Sequence, residues 1–294
     1  MSSAIHDLGY KRYAGTREAT SRRWRVIMRH QVATAWRTWW RWKLALALAV
    51  ITTIVGAVLI FVTTDKTVNM LSHGRAITLA NLALPATFAY YGLAAFVASL
   101  VVGASIIAGD LQSGAFVFYF ARSTRPVDYL LGKLAGYGIV IGSMTVIGPV
   151  LVALMRVGLS GAQDVSALAP QLLLVVKAIG LGLLSTLAYT AIPLGFSSLV
   201  STRGYAIALW ATFYLVVGSI LSGIALGLHI PWLAALDFAA ALKSLGYQTF
   251  DMALDFQIPV PIALISILGQ SAIAIAIAYW KLSTAQTAGV GGAT

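Results

Sequence analysis

Five charged side chains, Asp110, Arg122, Arg125, Asp128 and Lys133, stand in one polar stretch, residues 109–133, between two long apolar runs. A polar, helix-capable segment held between two spans is what a membrane protein needs to receive force from a soluble partner. No nucleophile–base arrangement accompanies them. The histidines His6, His30, His73 and His229 are isolated, so neither a metal cluster nor a Ser/His/Asp triad is suggested. Gly132-Lys133 lacks the earlier glycine and the following Ser/Thr of a phosphate-cradling loop. No expected span core holds a carboxylate: Asp110 and Asp128 lie at one edge, and Asp65, Asp164, Asp237, Asp251 and Asp255 fall on the other side. Ion-driven carriers rely on intramembrane carboxylates or histidines. A self-sufficient carrier is therefore disfavoured, although unwound backbone carbonyls could still bind sodium. Lys177 is the one charge well inside an expected span. It reads either as a cavity lysine on a substrate path, meeting an anionic group, or as a side chain snorkelling to the outer interface.

The elements that position these residues follow from hydropathy. Hydrophobic residues make up 59% of the chain and charged residues 10%, with mean hydropathy +0.86. A soluble domain needs more charge to cover its surface. A bilayer span needs about 20 mostly apolar residues, and six runs qualify, near Leu44–Val62, Leu84–Ala108, Leu134–Gly158, Leu172–Phe196, Tyr205–Leu228 and Val260–Trp280. Lone strands in lipid would leave backbone groups unpaired, and no period-2 alternation suggests a barrel, so the spans are expected to be helices. The chain divides into a tail and interfacial segment (1–43), a six-span domain (44–281) and a C-terminal tail (282–294).

Basic residues orient it. Fifteen Lys/Arg fall on the side of the termini and of the connections after spans two and four, ten of them before the first span, against four on the other side (Lys66, Arg75, Arg156 and Lys243). The positive-inside rule puts both termini in the cytoplasm. The net charge of +11 fits a basic face on anionic lipid and needs no nucleic acid. No cleavable signal peptide is expected, because the first apolar run starts at Leu44 and is of full spanning length.

Between Ser21 and Lys43, Trp24, Met28, Val32, Ala35, Trp36 and Trp39 recur at helical spacing, with Arg23, Arg37 and Arg41 on the far side. With Trp40 added, this is the composition of a helix in the headgroup layer, or of a basic anchor before the first span. Pro126 suits a helix's first turn and Asp128 its positive end. Tyr129 reads as an interface anchor, and Lys133 as reaching lipid phosphates. The outside connections are expected over Thr63 to about Asn81 and over Ser160–Pro170, and His229–Pro259 as short helices at or dipping into the outer leaflet. Pro149 and Pro193 should kink spans three and four.

The residues Ala108-Gly109-Asp110, Ser113-Gly114, Arg122, Arg125-Pro126 and Tyr129-Leu130-Leu131-Gly132-Lys133 resemble the loop after the second span of bacterial ABC transporter permeases of the type-2, exporter-like class. The resemblance implies a six-span permease without its own ATPase domain, in the cytoplasmic (inner) membrane, working as a homo- or heterodimer on separate ATPase subunits. It implies that this chain binds no cofactor and that ATP and Mg sit in the partner. It also implies an N-terminal connecting helix and a coupling helix in which Asp110, Gln112, Ser113, Phe116, Phe118, Arg122, Arg125, Asp128, Tyr129 and Lys133 meet the ATPase. Ser201-Thr202-Arg203-Gly204 is a second possible contact. A membrane anchor that transmits force without moving solute, and a carrier or channel acting alone, are the competing readings.

Overall fold

The computed structural model describes residues 23–37, 39–63, 75–116, 119, 124–159, 165–252, 254 and 256–291; for 39–42, 63, 75–80, 165–168 and 287–291 it describes the backbone. Every regular element among them is helical. In chain order these are α1 (Arg23–Arg37), α2 (Trp39–Thr63), α3 (Arg75–Val101), α4 (Ile106–Gln112), α5 (Pro126–Thr145), α6 (Ile147–Leu159) and α7 (Val165–Leu199). Then follow α8 (Arg203–Thr212), α9 (Gly218–Leu228), α10 (Pro231–Ala235), α11 (Phe238–Thr249) and α12 (Val260–Gly291).

Six stretches are long and apolar enough to cross a membrane: Lys43–Val62, Asn81–Gln112, Pro126–Leu159, Ala169–Leu199, Arg203–Leu228 and Val260–Gln286. All six expected spans are present. Their ends differ. Helix α3 begins at Arg75, and α7 at Val165, inside the expected outside connections. Helix α5 begins at Pro126, so Asp128, Tyr129 and Lys133 belong to span three itself. The last helix runs on to Gly291, where a tail was expected. Long helices outrun the apolar stretch because backbone hydrogen bonding continues beyond it at no desolvation penalty.

Three spans are irregular. Span two breaks at a 3-10 turn, Gly103–Ser105. The ring of Tyr137 packs directly on Gly103, where a Cβ would lie 2.5 Å from its hydroxyl. The N–H groups of Ile107 and Ala108, left without helical partners by the break, both donate to Ser197 Oγ of α7 at 3.0 Å. Span three breaks at Val146, three residues before Pro149, which has no N–H to give back to that turn. Pro193 lies within a single continuous α7. Span five contains a π-turn, Phe213–Val217, between α8 and α9. Around it lies the aromatic centre of the core: Trp210 is fully buried and donates to Ser99 Oγ at 2.6 Å, and Tyr214 stacks on Phe96 at 3.8 Å.

Helix α1 packs along α5. Its buried face is Ile27, Gln31 and Ala35; of the expected stripe, Ala35 is buried, Trp24, Met28 and Val32 are half-buried and Trp36 is exposed. Trp36 is 59% exposed and stacks under Lys43 Nζ at 4.1 Å. This choice of face has a steric cause. Gly132 and Gly136 of α5 let the α1 backbone come close, and a Cβ on either would lie 2.8 Å from the carbonyl oxygens of Trp24 and Met28. The smaller, half-polar face therefore docks, Trp36 stays outside and Trp24 is half-buried. The side chains of Trp39, Trp40 and Arg41 lie outside the described residues.

Candidate functional site

The polar stretch singled out in the sequence folds into a junction where α1, the end of span two and the start of span three meet. Helix α4 ends at Gln112, and Gly114 stops it in the left-handed region at φ 68°, where a side chain would be strained. Asp110 thus belongs to the end of span two rather than to a separate contact helix. Helix α5 starts at Pro126, with Asp128 in its first turn, and brings Tyr129 and Lys133 round to the same carboxylate.

Asp110 Oδ2 lies 2.8 Å from Lys133 Nζ and accepts the Tyr129 hydroxyl at 2.7 Å. Lys133 Nζ also donates to Gln31 Oε1 of α1 at 3.2 Å, and it stands 5.4 Å over the Tyr129 ring. Phe116 and Tyr119 meet that ring edge-on at 5.3 and 5.2 Å. The Lys133 side chain is 5% exposed and the Asp110 side chain 22%. A charge buried this deeply persists because it is paired and hydrogen-bonded. Burial, and then the Asp110 carboxylate, push the Tyr119 phenol above its ordinary pKa, so it stays protonated beside Asp110.

The expected roles of Tyr129 and Lys133 at the headgroups are corrected here: both are buried, and both turn inward to the Asp110 carboxylate. Phe116 is likewise buried. Gln112, Ser113 and Arg125 are exposed, and Asp128 is half-buried. Gln112 Oε1 accepts the Arg203 N–H at 3.3 Å, and the Arg203 side chain lies against Gly109. The connection between spans four and five therefore abuts the end of span two. Phe118 and Arg122 lie outside the described residues. Gln31, Gly132 and Gly136 were missed as parts of this junction; the four-residue spacing of the two glycines, a small-residue packing signal, was the available clue.

Beside the junction opens a cavity of about 370 Å³ with His30, Gln31, Thr34, Asp110, Lys133 and Arg203 on its walls. Nothing here is arranged for covalent chemistry, and the described residues contain no group of three or more His, Cys, Asp or Glu that could hold a metal. What the arrangement can do is mechanical: one salt bridge and its hydrogen bonds tie three elements together.

On the opposite face, which carries α10 and α11, Lys177 Nζ lies 3.8 Å from Asp251 Oδ2, both partly exposed. The partner carboxylate is largely open to solvent, at 87% exposure. An exposed pair of this kind contributes about 0–1 kcal/mol, so Lys177→Ala should shift the unfolding midpoint in detergent only marginally.

Six spanning helices define an all-helical, multi-pass integral membrane protein. No protein-family model matches the chain, and no curated protein compared with it is significantly similar.

Proposed function

We propose that this chain is the transmembrane subunit of an ATP-driven ABC exporter, set in the cytoplasmic membrane with both termini inside. It works as a dimer on separate ATPase subunits that hold ATP and Mg. The observation that carries the reading is the Asp110–Lys133 salt bridge, which joins the end of span two, the start of span three and α1 into one unit. Exposed Gln112, Ser113 and Arg125 surround it. A push on those residues would move two spans and α1 together. The buried members transmit, and the exposed ones touch the partner.

The test is purification of the tagged chain from its native membrane, with ATP hydrolysis assayed in the co-purified material. The expected outcome is an ATPase subunit whose retention falls about tenfold when Gln112 and Arg125 are both replaced by alanine, the loss of one or two exposed interface contacts. Because these side chains are exposed, the variants should fold and insert normally. A chain that purifies alone, without ATPase, overturns the reading.

One observation favours the competing carrier. Asp237, expected outside, lines a cavity among the spans, and intramembrane carboxylates are what ion-driven carriers use. Purification without ATPase, together with transport driven by an ion gradient, would select it.

A further inference from the structure

Helix α11 returns into the bundle and closes a second cavity of about 370 Å³ between spans two, four and five. Asp237 caps α11: its Oδ1 accepts the N–H groups of Ala239 and Ala240 at 3.0 and 3.2 Å. Oδ2 accepts the Ser222 hydroxyl at 2.8 Å, and Gly218 leaves room for the carboxylate against α9. The Tyr189 and Tyr214 hydroxyls share a hydrogen bond of 3.1 Å at the same cavity. Both rings pack edge-on against Phe238, and Phe88 completes the aromatic walls. Tyr189 lies within span four, ten residues before the end of α7, about 15 Å along the helix axis.

An anionic group in a cavity lined by aromatic rings attracts an ammonium ion by Coulomb force, and a ring whose face the ion meets adds to that attraction. Lys243 stands on the same cavity and is exposed. It forms no ion pair with Asp237; the salt bridges among the described residues are Lys133–Asp110 and Lys177–Asp251. Six residues of helix separate Asp237 from Lys243, about 9 Å of rise. That gap is bridged by an ammonium and a phosphate held two carbons apart together with the flexible lysine stem.

We propose that this cavity binds a zwitterionic aminoalkyl phosphate, its ammonium on Asp237 beside the Tyr189 and Tyr214 rings and its phosphate on Lys243. Such a group is presented by a phospholipid headgroup or by the free small molecule. The site stands independently of the coupling proposal, because binding needs neither ATP nor a partner.

The test is native mass spectrometry of the full chain, titrated with phosphatidylethanolamine, phosphoethanolamine or phosphatidylglycerol. One molecule of at least one of the first two should bind about tenfold tighter than phosphatidylglycerol. Asp237→Asn and Lys243→Gln should each weaken it by about tenfold, the effect of one charge-assisted contact. Asparagine caps a helix as well as aspartate, so Asp237→Asn removes the charge and keeps α11. Lys243→Gln alters an exposed side chain and serves if the first variant is unstable. Binding of phosphatidylethanolamine alone identifies the lipid as the source, binding of phosphoethanolamine alone identifies the free molecule, and binding of both shows that the headgroup suffices; each supports the proposal. Equal binding of phosphatidylglycerol, no binding of either zwitterion, or unchanged affinity in both variants overturns the proposal.

Discussion

Asp110→Ala should destabilise the folded chain by about 3 kcal/mol, because it strands the Lys133 ammonium in a buried position. The lower end of the range for a broken buried pair applies, since Asp110 keeps some contact with solvent. The same change removes the carboxylate oxygen that accepts the buried Tyr129 hydroxyl. Adding Lys133→Met removes the stranded charge and fills similar space, so the double variant should recover most of the loss. The quantity to measure is the coupling energy from the four unfolding midpoints in detergent. A coupling under about 0.5 kcal/mol, typical of a solvated surface pair, would show that the junction is not held electrostatically. The experiment also bears on function. Any defect of an Asp110 variant in ATPase stimulation mixes lost stability with lost contact, which is why Gln112 and Arg125 are the cleaner probes of docking.

The second large effect is steric. A methyl group at Gly132 would lie 2.7 Å from Ile27 Cβ and 2.8 Å from the Trp24 carbonyl, and one at Gly136 would lie 2.8 Å from the Met28 carbonyl. Backbone cannot step aside as a flexible side chain does, so Gly132→Ala and Gly136→Ala should each destabilise by about 1–3 kcal/mol and lift α1 from α5. Gly138→Ala is the matched comparison: its new methyl meets Thr190 at an ordinary 3.9 Å and should be close to neutral. The chain contains no cysteine, so spin labels can be attached at cysteines introduced at the exposed Val26 and Val127. Their distance distribution should lengthen and broaden in the Gly132 and Gly136 variants and stay fixed in Gly138→Ala. An unchanged distribution in all three would mean that α1 is held by something other than this close approach.

Hydropathy made the six spans legible because a bilayer of fixed thickness demands apolar runs of fixed length. Local chemistry made the start of α5 legible for a similar reason: Pro126 and Asp128 act within one helical turn of their own position. The pairings were not legible. Lys133 meets Asp110 and Gln31 only because three helices converge, and contacts at such sequence separations leave no periodic trace. Tyr129 and Lys133 sit at the edge of an apolar run, where anchors usually sit, yet packing turned them inward. The segment of Asp237 was expected as short helices at or dipping into the outer leaflet, and α11 does pack into the bundle. The order of residues did not show that the carboxylate lines a cavity, with its demand for hydrogen bonds met by Ser222 and two backbone N–H groups. The π-turn of span five has no signature in the order of Phe213-Tyr214-Leu215-Val216-Val217, since it reflects a change of hydrogen-bond register and not of composition.

The interruption of span two at Gly103–Ser105 gives the molecule a lever with an off-centre pivot. Below the pivot, the short arm α4 carries Asp110 at its tip and is fastened through Ser197 to span four. Above it, the long arm α3 holds Phe88 and Gly92 on one wall of the second cavity, while span four holds Ser185 and Tyr189 on the other. The short arm is thus joined to span four by side chain and to α3 by the buried turn. Under the proposed coupling, a push at Asp110 would pass to span four as well as to span three, and span four carries one wall of that cavity.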